Sequence, residues 1–286
     1  MLEWVLIYST VPVRFHIITN EDSIPYINSV MAKVNLTSNC DFDFKVMTLS
    51  QIIKTTNEEI CPYLGTRSEF CEILMGNMTP LLFPYLFKDL DHAIYLDRTL
   101  VFQDNIGYIY PLLEKLKRSK AGIAMAPEQT KTYMRAFATW QKMNPSTKIG
   151  RPPPDGKPGY NPDLILMDLD KLRASASYRT FFNELKLTKL VKNYMFHSQS
   201  ETPSLGDMVN LMAVDVDSLF MSLGCDWNRL TDQTTDVLEK KYNVCDKEFI
   251  HVWNGNPQLE KIKKTKSRTL VPANKDENWD LLNLLL

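Results

Sequence analysis

The sequence has no surplus of either charge. Over 286 residues, 33 lysines and arginines stand against 34 aspartates and glutamates, a net charge of -1 at pH 7. A global basic field that would attract nucleic acid is therefore absent, and no nucleic-acid partner is expected. No run approaches the roughly 18 apolar residues of a membrane-spanning helix, so no membrane span is predicted in this chain. The cysteines form no C-x-x-C pair, which argues against a structural zinc site.

The composition is otherwise that of a folded protein. Hydrophobic residues make up 44% and charged residues 23%, which is enough to bury a core. The apolar start, residues 1–19, lacks the basic beginning and small-residue cleavage site of a signal peptide, so it is predicted to be core structure. Sequons at Asn35 and Asn77, together with five cysteines, permit a secretory compartment.

Short apolar segments alternate with helical ones along the chain. Such alternation predicts an α/β protein with a mostly parallel mixed sheet and helices on both faces. Sheets of this kind bind ligands at the carboxyl ends of their strands, at a topological switch point. The predicted strands are 13–19, 44–49, 92–96, 122–126, 164–169 and 249–253, and the predicted helices are 22–34, 67–87, 106–117 and 178–191.

The second half of the chain changes in character. Residues 150–162 are dense in proline and glycine, which predicts an ordered loop. Ser204, with Asp207 three residues later, resembles a helix-capping box. No linker divides two domains, so residues 1–257 are predicted to form one domain. Residues 258–286 are predicted to be a polar, solvated and partly disordered tail.

Several segments occur in the order found in glycosyltransferase family 8 and resemble it. The stretch from Asn144 to Asn161 is the most specific, because a proline triplet and an acidic residue precede Gly-x-Pro-Gly-aromatic-Asn. It closely resembles the xyloside α-1,3-xylosyltransferase branch of the family. The resemblance covers roughly residues 11–257, and the matching segments are RFHIITNEDS, LFPYLF with HAIYLDRTLVFQDNI, AMAPE, WQKMNPSTKIGRPPPDGKPGYN, LGD, CDWNR and HVWNGN.

The resemblance implies a GT-A (Rossmann-like) fold, UDP-xylose as donor and Mn²⁺ as cofactor. The expected reaction is a retaining transfer of xylose to xylosylated O-glucose glycans on EGF-like repeats, in the endoplasmic reticulum or Golgi lumen. Donor cleavage leaves charge on the β-phosphate of UDP, and a divalent cation neutralises it. Family members open with a strand whose loop holds the uracil and ribose, and this strand is expected to be missing here.

The metal and donor residues of the family fall on two segments. Its Asp-x-Asp falls on Asp97, Arg98 and Thr99, so the second aspartate is a threonine here. Its C-terminal His-Gly falls on Asn254 and Gly255. The resemblance implies Asp97, Thr99 and Asn254 as metal ligands, with Arg98 and Gly255 also contacting the donor. Threonine and asparagine offer oxygen to a hard cation but add no charge.

Two further motifs imply residues near the reacting carbon. The family's Asn-Ser-Gly falls on Asn161-Pro162-Asp163, and its Gly-Asp-Gln-Asp falls on Gly206-Asp207-Met208-Val209. Asn161 and Asp207 are therefore the candidate catalytic residues. The loss of the glutamine position bears directly on catalysis, because it is expected near the reacting carbon.

Each candidate also has a structural interpretation. Asp97 could cap a turn, Asp207 could stabilise a helix start, and Asn161 could close the glycine turn. His251 is predicted to point away from Asn254 by strand alternation. Cys225 and Cys245 could form a disulfide in a secretory lumen or remain two buried thiols. Asp-x-Asp also occurs at 41–43, 89–91, 168–170 and 215–217, where caps and solvated turns are expected.

Two functions follow from these residues. The first is an active UDP-xylose-dependent transferase with an altered metal site. The second is a catalytically inactive pseudo-glycosyltransferase that binds glycans or stabilises a partner, because four motif groups lose charge, polarity or small size at once. Metal-dependent UDP binding distinguishes the two.

Overall fold

The computed structural model describes residues 2–35, 40–65, 68–195, 203–230, 245, 250–255 and 282–285. The strands are β1 Val13–Thr19, β2 Phe42–Thr48, β3 His92–Leu96, β4 Leu100–Phe102, β5 Ile123–Pro127, β6 Tyr160–Asp168, β7 Phe220–Ser222, β8 Arg229–Leu230, β9 Val252–Asn254 and β10 Leu282–Leu285. The α-helices are α1 Leu2–Tyr8, α2 Ile24–Asn35, α3 Leu49–Thr55, α4 Cys61–Leu64, α5 Ser68–Leu86, α6 Tyr110–Arg118, α7 Thr132–Ala136, α8 Ala138–Met143, α9 Leu169–Ala174, α10 Ala176–Phe181, α11 Glu184–Met195 and α12 Leu205–Asp215.

Seven strands form one mixed sheet in the order β2-β1-β10-β3-β6-β5-β7. The first four are parallel, β6 runs antiparallel to its neighbours β3 and β5, and β7 is parallel to β5. A second, three-stranded sheet has the order β4-β9-β8. The predicted α/β class with a mostly parallel mixed sheet is confirmed.

Successive residues of a strand pack alternately into two hydrophobic cores, one on each face of the large sheet. In β3, Ala93 belongs to one core and Ile94 to the other. In β6, Ile165 and Leu166 divide in the same way. Strand side chains alternate between faces, so continuous apolar runs such as LILM require a helical layer on each side. Among the described helices, none is long and apolar enough to cross a membrane.

Most predicted elements are found with shifted ends. The strands predicted at 13–19 and 92–96 are confirmed, and the apolar start is core structure, with Val5 and Leu6 buried in α1. The helix predicted at 178–191 was wrong as one element. It is two helices that break at Phe182 and Asn183, where Asn183 Oδ1 accepts from the Lys186 N–H at 3.2 Å and caps the start of α11.

The predicted loop also ends earlier than its proline content indicated. Residues 160–162 belong to β6, although Pro162 cannot donate a ladder hydrogen bond. The backbone of Tyr160 is paired by a side chain instead, since Asn210 Oδ1 accepts from its N–H at 2.8 Å and Asn210 Nδ2 donates to its carbonyl at 2.9 Å. A distant asparagine thus completes the start of the strand.

The predicted solvated tail was wrong for its last described residues. Leu282–Leu285 form β10, the central strand of the large sheet, between β1 and β3. Leu284 and Leu285 are fully buried. The reason is that an apolar run of strand length gains more from burial between two strands than from exposure to water. Residues 258–281 of the predicted tail lie outside the described residues.

Candidate functional site

A cleft of about 730 Å³ opens where β3 ends. The second half of α5, the start of β6 and the start of α12 form its walls. Its described lining includes three charged side chains, those of Asp97, Arg98 and Asp163. The other lining residues are Thr79, Pro80, Tyr95, Tyr133, Pro162, Ser204, Leu205 and Gly206. The cleft therefore lies at the carboxyl edge of a parallel strand, where such sheets bind ligands.

Asp97 begins the tight connection from β3 to β4. Its Oδ1 accepts from the backbone N–H of Thr99 at 2.9 Å and from Thr99 Oγ1 at 2.8 Å. Its backbone N–H donates to the Asp163 carbonyl at 2.7 Å, which extends the pairing of β3 with β6. The turn-capping interpretation of Asp97 is thus confirmed. Asp97 also lines the cleft.

The end of β9 brings Asn254 beside this turn. Leu100 of β4 pairs with Asn254, and Thr99 Oγ1 lies 3.3 Å from Asn254 Oδ1. Gly255 has a φ of 101°, a conformation that favours glycine, and its N–H donates to the Thr99 carbonyl at 3.3 Å. The fold therefore brings together Asp97, Thr99, Asn254 and Gly255, which are far apart in sequence.

Buried amides connect this group to Asn161. Asn254 Nδ2 donates to Asp163 Oδ2 and, at 2.9 Å, to Asn228 Oδ1. Asn228 Nδ2 in turn donates to Asn161 Oδ1 at 2.9 Å. Asn161, Asn228 and Asn254 are all buried. Buried amides that satisfy one another hold a single arrangement, so Asn161 positions the site from beneath its surface.

The floor of the cleft is electronegative. Burial raises the pKa of the Asp163 carboxyl, and the nearby carboxylates of Asp97 and Glu128 raise it further, against the hydrogen bond from Asn254. Burial likewise raises the pKa of Tyr95, with Asp97 and Asp163 adding to the effect. Two carboxylates on one floor attract a cation and repel a bare diphosphate.

Asp207 has a capping role in the structure. Its Oδ2 accepts from the backbone N–H of Ser204 at 2.9 Å, while Ser204 Oγ accepts from the Asp207 N–H at 3.1 Å. This is the predicted capping box at the start of α12. Ser204 and Gly206 line the cleft beside it. The structure therefore places Asp207 in the first turn of α12, at the rim of the cleft.

The opposite wall depends on Tyr133 and Asn210. A Cβ on Gly206 would lie 2.3 Å from the Tyr133 hydroxyl, so only glycine lets α12 approach this ring. A Cβ on Gly159 would lie 2.7 Å from the same ring and 2.9 Å from Asn210 Oδ1. Asn210 Nδ2 also donates to the Gly206 carbonyl at 2.8 Å. Close packing thus explains Gly159 in the Gly-x-Pro-Gly segment and Gly206 in the Gly-Asp segment.

The oxygen atoms around Asp97 fit a hard divalent cation. Neighbouring ligands of an octahedral ion with bonds of about 2.1 Å lie about 3 Å apart. Thr99 Oγ1 lies 2.8 Å from Asp97 Oδ1 and 3.3 Å from Asn254 Oδ1, which are hydrogen-bond lengths close to that spacing. No three histidine, cysteine, aspartate or glutamate side chains of the described residues form a metal-ligand group. A cation here would depend largely on neutral oxygens, with Asp163 as the nearest further carboxylate.

Sequence reasoning missed four residues of this site: Asp163, Asn228, Asn210 and Tyr133. Asn210 had a usable signal, because it is a polar residue on an apolar helix face and is fully buried. Asn228 lies in the CDWNR segment that carried the resemblance. Asp163 had no signal beyond its place after Asn161, since its partner Asn254 lies 91 residues away.

The other candidates have structural roles. His251 Nδ1 lies 2.9 Å from Asp104 Oδ2, and its ring stacks on Trp227 at 4.4 Å between ring centroids. The Cys225–Cys245 disulfide is present, as is a second one, Cys61–Cys71, that was not predicted. Among the other Asp-x-Asp pairs, Asp168 caps α9 by accepting from the Lys171 N–H at 2.9 Å.

The comparisons with known proteins point to one group. Human xyloside xylosyltransferase 1 is 28% identical over 195 residues, which are 65% of this chain and 46% of that protein. Chicken glucoside xylosyltransferase 1 is 23% identical over 272 residues, 90% of this chain and 54% of the relative. No protein-family model matches. The crystal structure of mouse xyloside xylosyltransferase 1, apo form, superposes with a TM-score of 0.70 at 20% identity, covering 89% of each chain.

The fold is that of a glycosyltransferase. It is GT-A-like, and the sequence is xylosyltransferase-like. The expected fold and resemblance are thereby confirmed. The chain spans about half or less of the curated xyloside xylosyltransferases that it matches, 46% of the human and 35% of the mouse protein. The roles of the site residues remain predictions.

Proposed function

We propose that the chain binds a nucleotide sugar in the cleft at Asp97 and transfers xylose from UDP-xylose. The observation that carries this proposal is the convergence of Asp97, Thr99 and Asn254 at the end of β3, in a glycosyltransferase fold. The acceptor we propose is a xylosylated O-glucose glycan on an EGF-like repeat. Similarity to a protein named xyloside xylosyltransferase 1 supports transfer of xylose to a xyloside.

The chain's own residues position the donor. When bound, Mn²⁺ would be held by Asp97, Thr99 and Asn254 and would neutralise charge on the leaving diphosphate. Asp163 accepts a hydrogen bond from Asn254 and thereby orients the amide whose oxygen faces Thr99. Arg98, the cation among the described lining residues, would contact a phosphate of the donor. Retaining transfer by positioning and charge stabilisation requires few further protein groups.

The inactive pseudo-glycosyltransferase is the second candidate, and one observation favours it. Thr99, Asn254, Asn228 and Asn161 form hydrogen bonds to one another in the described structure. A site whose polar groups already satisfy one another holds its shape without a cation. Such a protein would keep the fold and bind a glycan or partner without turnover.

Calorimetric titration of the intact protein with UDP-xylose, with and without Mn²⁺, tests the proposal. We expect Mn²⁺ to tighten binding by roughly tenfold or more, and Asp97→Ala to abolish that gain. Asp89→Ala, in an exposed Asp-x-Asp pair outside the cleft, is the matched control and should bind like the parent. A transfer assay on a xylosyl-glucosyl peptide follows. A folded parent that binds no nucleotide in either condition refutes the transferase and leaves the pseudoenzyme.

Thr99→Asp distinguishes a weakened metal site from an abandoned one. The change replaces the Thr99 hydroxyl, one of the three converging oxygens, with a carboxylate, so we expect tighter Mn²⁺-dependent binding of UDP-xylose. If Mn²⁺ has no effect on either the parent or Thr99→Asp, the inactive function is favoured.

The compartment belongs to the same proposal. Two disulfides, Cys61–Cys71 and Cys225–Cys245, are typical of an oxidising lumen. We propose the lumen of the endoplasmic reticulum or Golgi, where nucleotide-sugar-dependent glycosylation of EGF-like repeats would take place.

A further inference from the structure

The centre of the large sheet is filled by the end of the chain. β10 lies between β1 and β3 and is parallel to both. Leu284 pairs with Phe15 on one side and with Ile94 on the other. Four residues from the far end of the sequence thus join β1 and β2 to the rest of the sheet.

This position cannot be left open without cost. β1 and β3 lie on either side of β10, so about 9.6 Å, two strand spacings, separates them. Their facing backbone groups would have no partners in a buried region if β10 were withdrawn. Leu284 packs in one hydrophobic core and Leu285 in the other, both fully buried. The gap therefore requires a strand that is apolar on both faces.

We propose that the gap between β1 and β3 is a strand-binding groove whose ligand is the chain's own C-terminal segment, Leu282–Leu285, bound as a separable parallel strand. Strand addition of this kind obtains affinity from main-chain hydrogen bonds and specificity from side-chain pockets. The ligand also supports the candidate site. Leu285 pairs with Tyr95, two residues before Asp97. This inference does not rest on the proposed transferase activity.

A disulfide trap in the intact chain tests the position of the strand. In Ile94→Cys/Leu284→Cys the two cysteines occupy paired positions, and mild oxidation should link them. In the control, Phe44→Cys/Leu284→Cys, Phe44 pairs with Phe15 one strand further away. That separation of about 9.6 Å exceeds the roughly 7 Å limit for a disulfide. Mass spectrometry of the digested protein should find the link in the first variant alone. Equal linking in both, or in neither, overturns the proposal.

Fragment complementation tests whether the strand is separable. A chain that ends at residue 281 is refolded with a peptide of residues 278–286, NWDLLNLLL. We expect the truncated chain to lose its cooperative thermal transition or to melt at least about 4 °C lower, and the peptide to restore the transition in a saturable way. The control peptide carries Leu284→Asp and Leu285→Asp. A truncated chain as stable as the parent, rescue by both peptides, or rescue by neither contradicts the proposal.

Discussion

At the scale of single residues, the candidate site is a mixture of one exposed turn and several buried amides. Asp97 and Thr99 belong to the turn, whereas Asn161, Asn228 and Asn254 are buried behind it. Local sequence explains the turn, because an aspartate two residues before a hydroxyl residue caps its own backbone. The amides come together only through contacts between residues far apart in the sequence. The turn can therefore be predicted from the sequence, whereas the contacts of the amides cannot.

Asp163→Asn should change the pH dependence of stability. The pKa of Asp163 is raised above 3.8 in the folded chain, so folding favours its protonated form. The contribution of this group to stability is present below pH 3.8 and is lost as pH rises through the folded pKa. Asparagine has no such proton. The free energy of unfolding of Asp163→Asn, relative to the parent, should therefore increase from about pH 4 towards neutrality.

Urea denaturation at a series of pH values measures this difference. Asp89→Asn is the control, because it makes the same chemical change at an exposed position outside the cleft. A difference for Asp163→Asn that does not change with pH would show that burial does not disfavour the Asp163 carboxylate.

Asn210→Ala should destabilise the whole domain by about 3 kcal/mol. The substitution leaves the Tyr160 N–H and the Tyr160 carbonyl without their side-chain partner in a buried place, and it removes a second donor to the Gly206 carbonyl. Asn144→Ala removes one hydrogen bond, to the Trp140 carbonyl, and should change stability by less than about 1 kcal/mol. Equal effects of the two changes on the urea midpoint would refute the bridging role of Asn210.

At the scale of elements, helix starts are predictable because their caps are local. Two capping boxes are described, Thr48 with Gln51 at α3 and Ser204 with Asp207 at α12. The second one forms a rim of the cleft. The Gly206-Asp207 motif thus has a structural role at the start of α12. That role by itself accounts for Asp207, so catalysis by Asp207 needs a separate test.

Ser204→Ala and Asp207→Ala should each lower the free energy of unfolding by about 1 kcal/mol, because each removes half of one capping box. Thr48→Ala is the matched control, with a similar loss at a helix outside the cleft. If Asp207 only caps α12, UDP-xylose binding and transfer should fall equally in Ser204→Ala and Asp207→Ala. A much larger loss of transfer in Asp207→Ala would instead assign it a catalytic role.

At the scale of the whole molecule, the three-stranded sheet positions part of the candidate site beside the end of β3 in the large sheet. Asn254 comes from β9, and Asn228 follows the short helix Cys225–Trp227. The Cys225–Cys245 disulfide anchors that helix. The site thus depends on segments whose order in the sequence says little about their distance in space.

Cys225→Ser/Cys245→Ser should therefore reduce both stability and ligand binding. The disulfide spans 20 residues, and its loss should cost about 3 kcal/mol. Cys61→Ser/Cys71→Ser, which opens a span of 10 residues outside the cleft, should cost somewhat less and leave UDP-xylose binding unchanged. Calorimetry and thermal unfolding of both pairs measure this contrast. Unchanged binding in the first pair would show that the disulfide does not position Asn228.

The sequence by itself determined the fold class, most strands and helices, the α12 capping box and the turn at Asp97. Periodicity, caps and turn chemistry act between residues a few positions apart, so a linear pattern contains them. Only the tertiary structure decided that Asp163 faces Asn254, that Asn210 completes β6, and that Leu282–Leu285 lie at the centre of the sheet. These outcomes depend on which distant groups need a partner once they are buried, and burial is a property of the assembled chain.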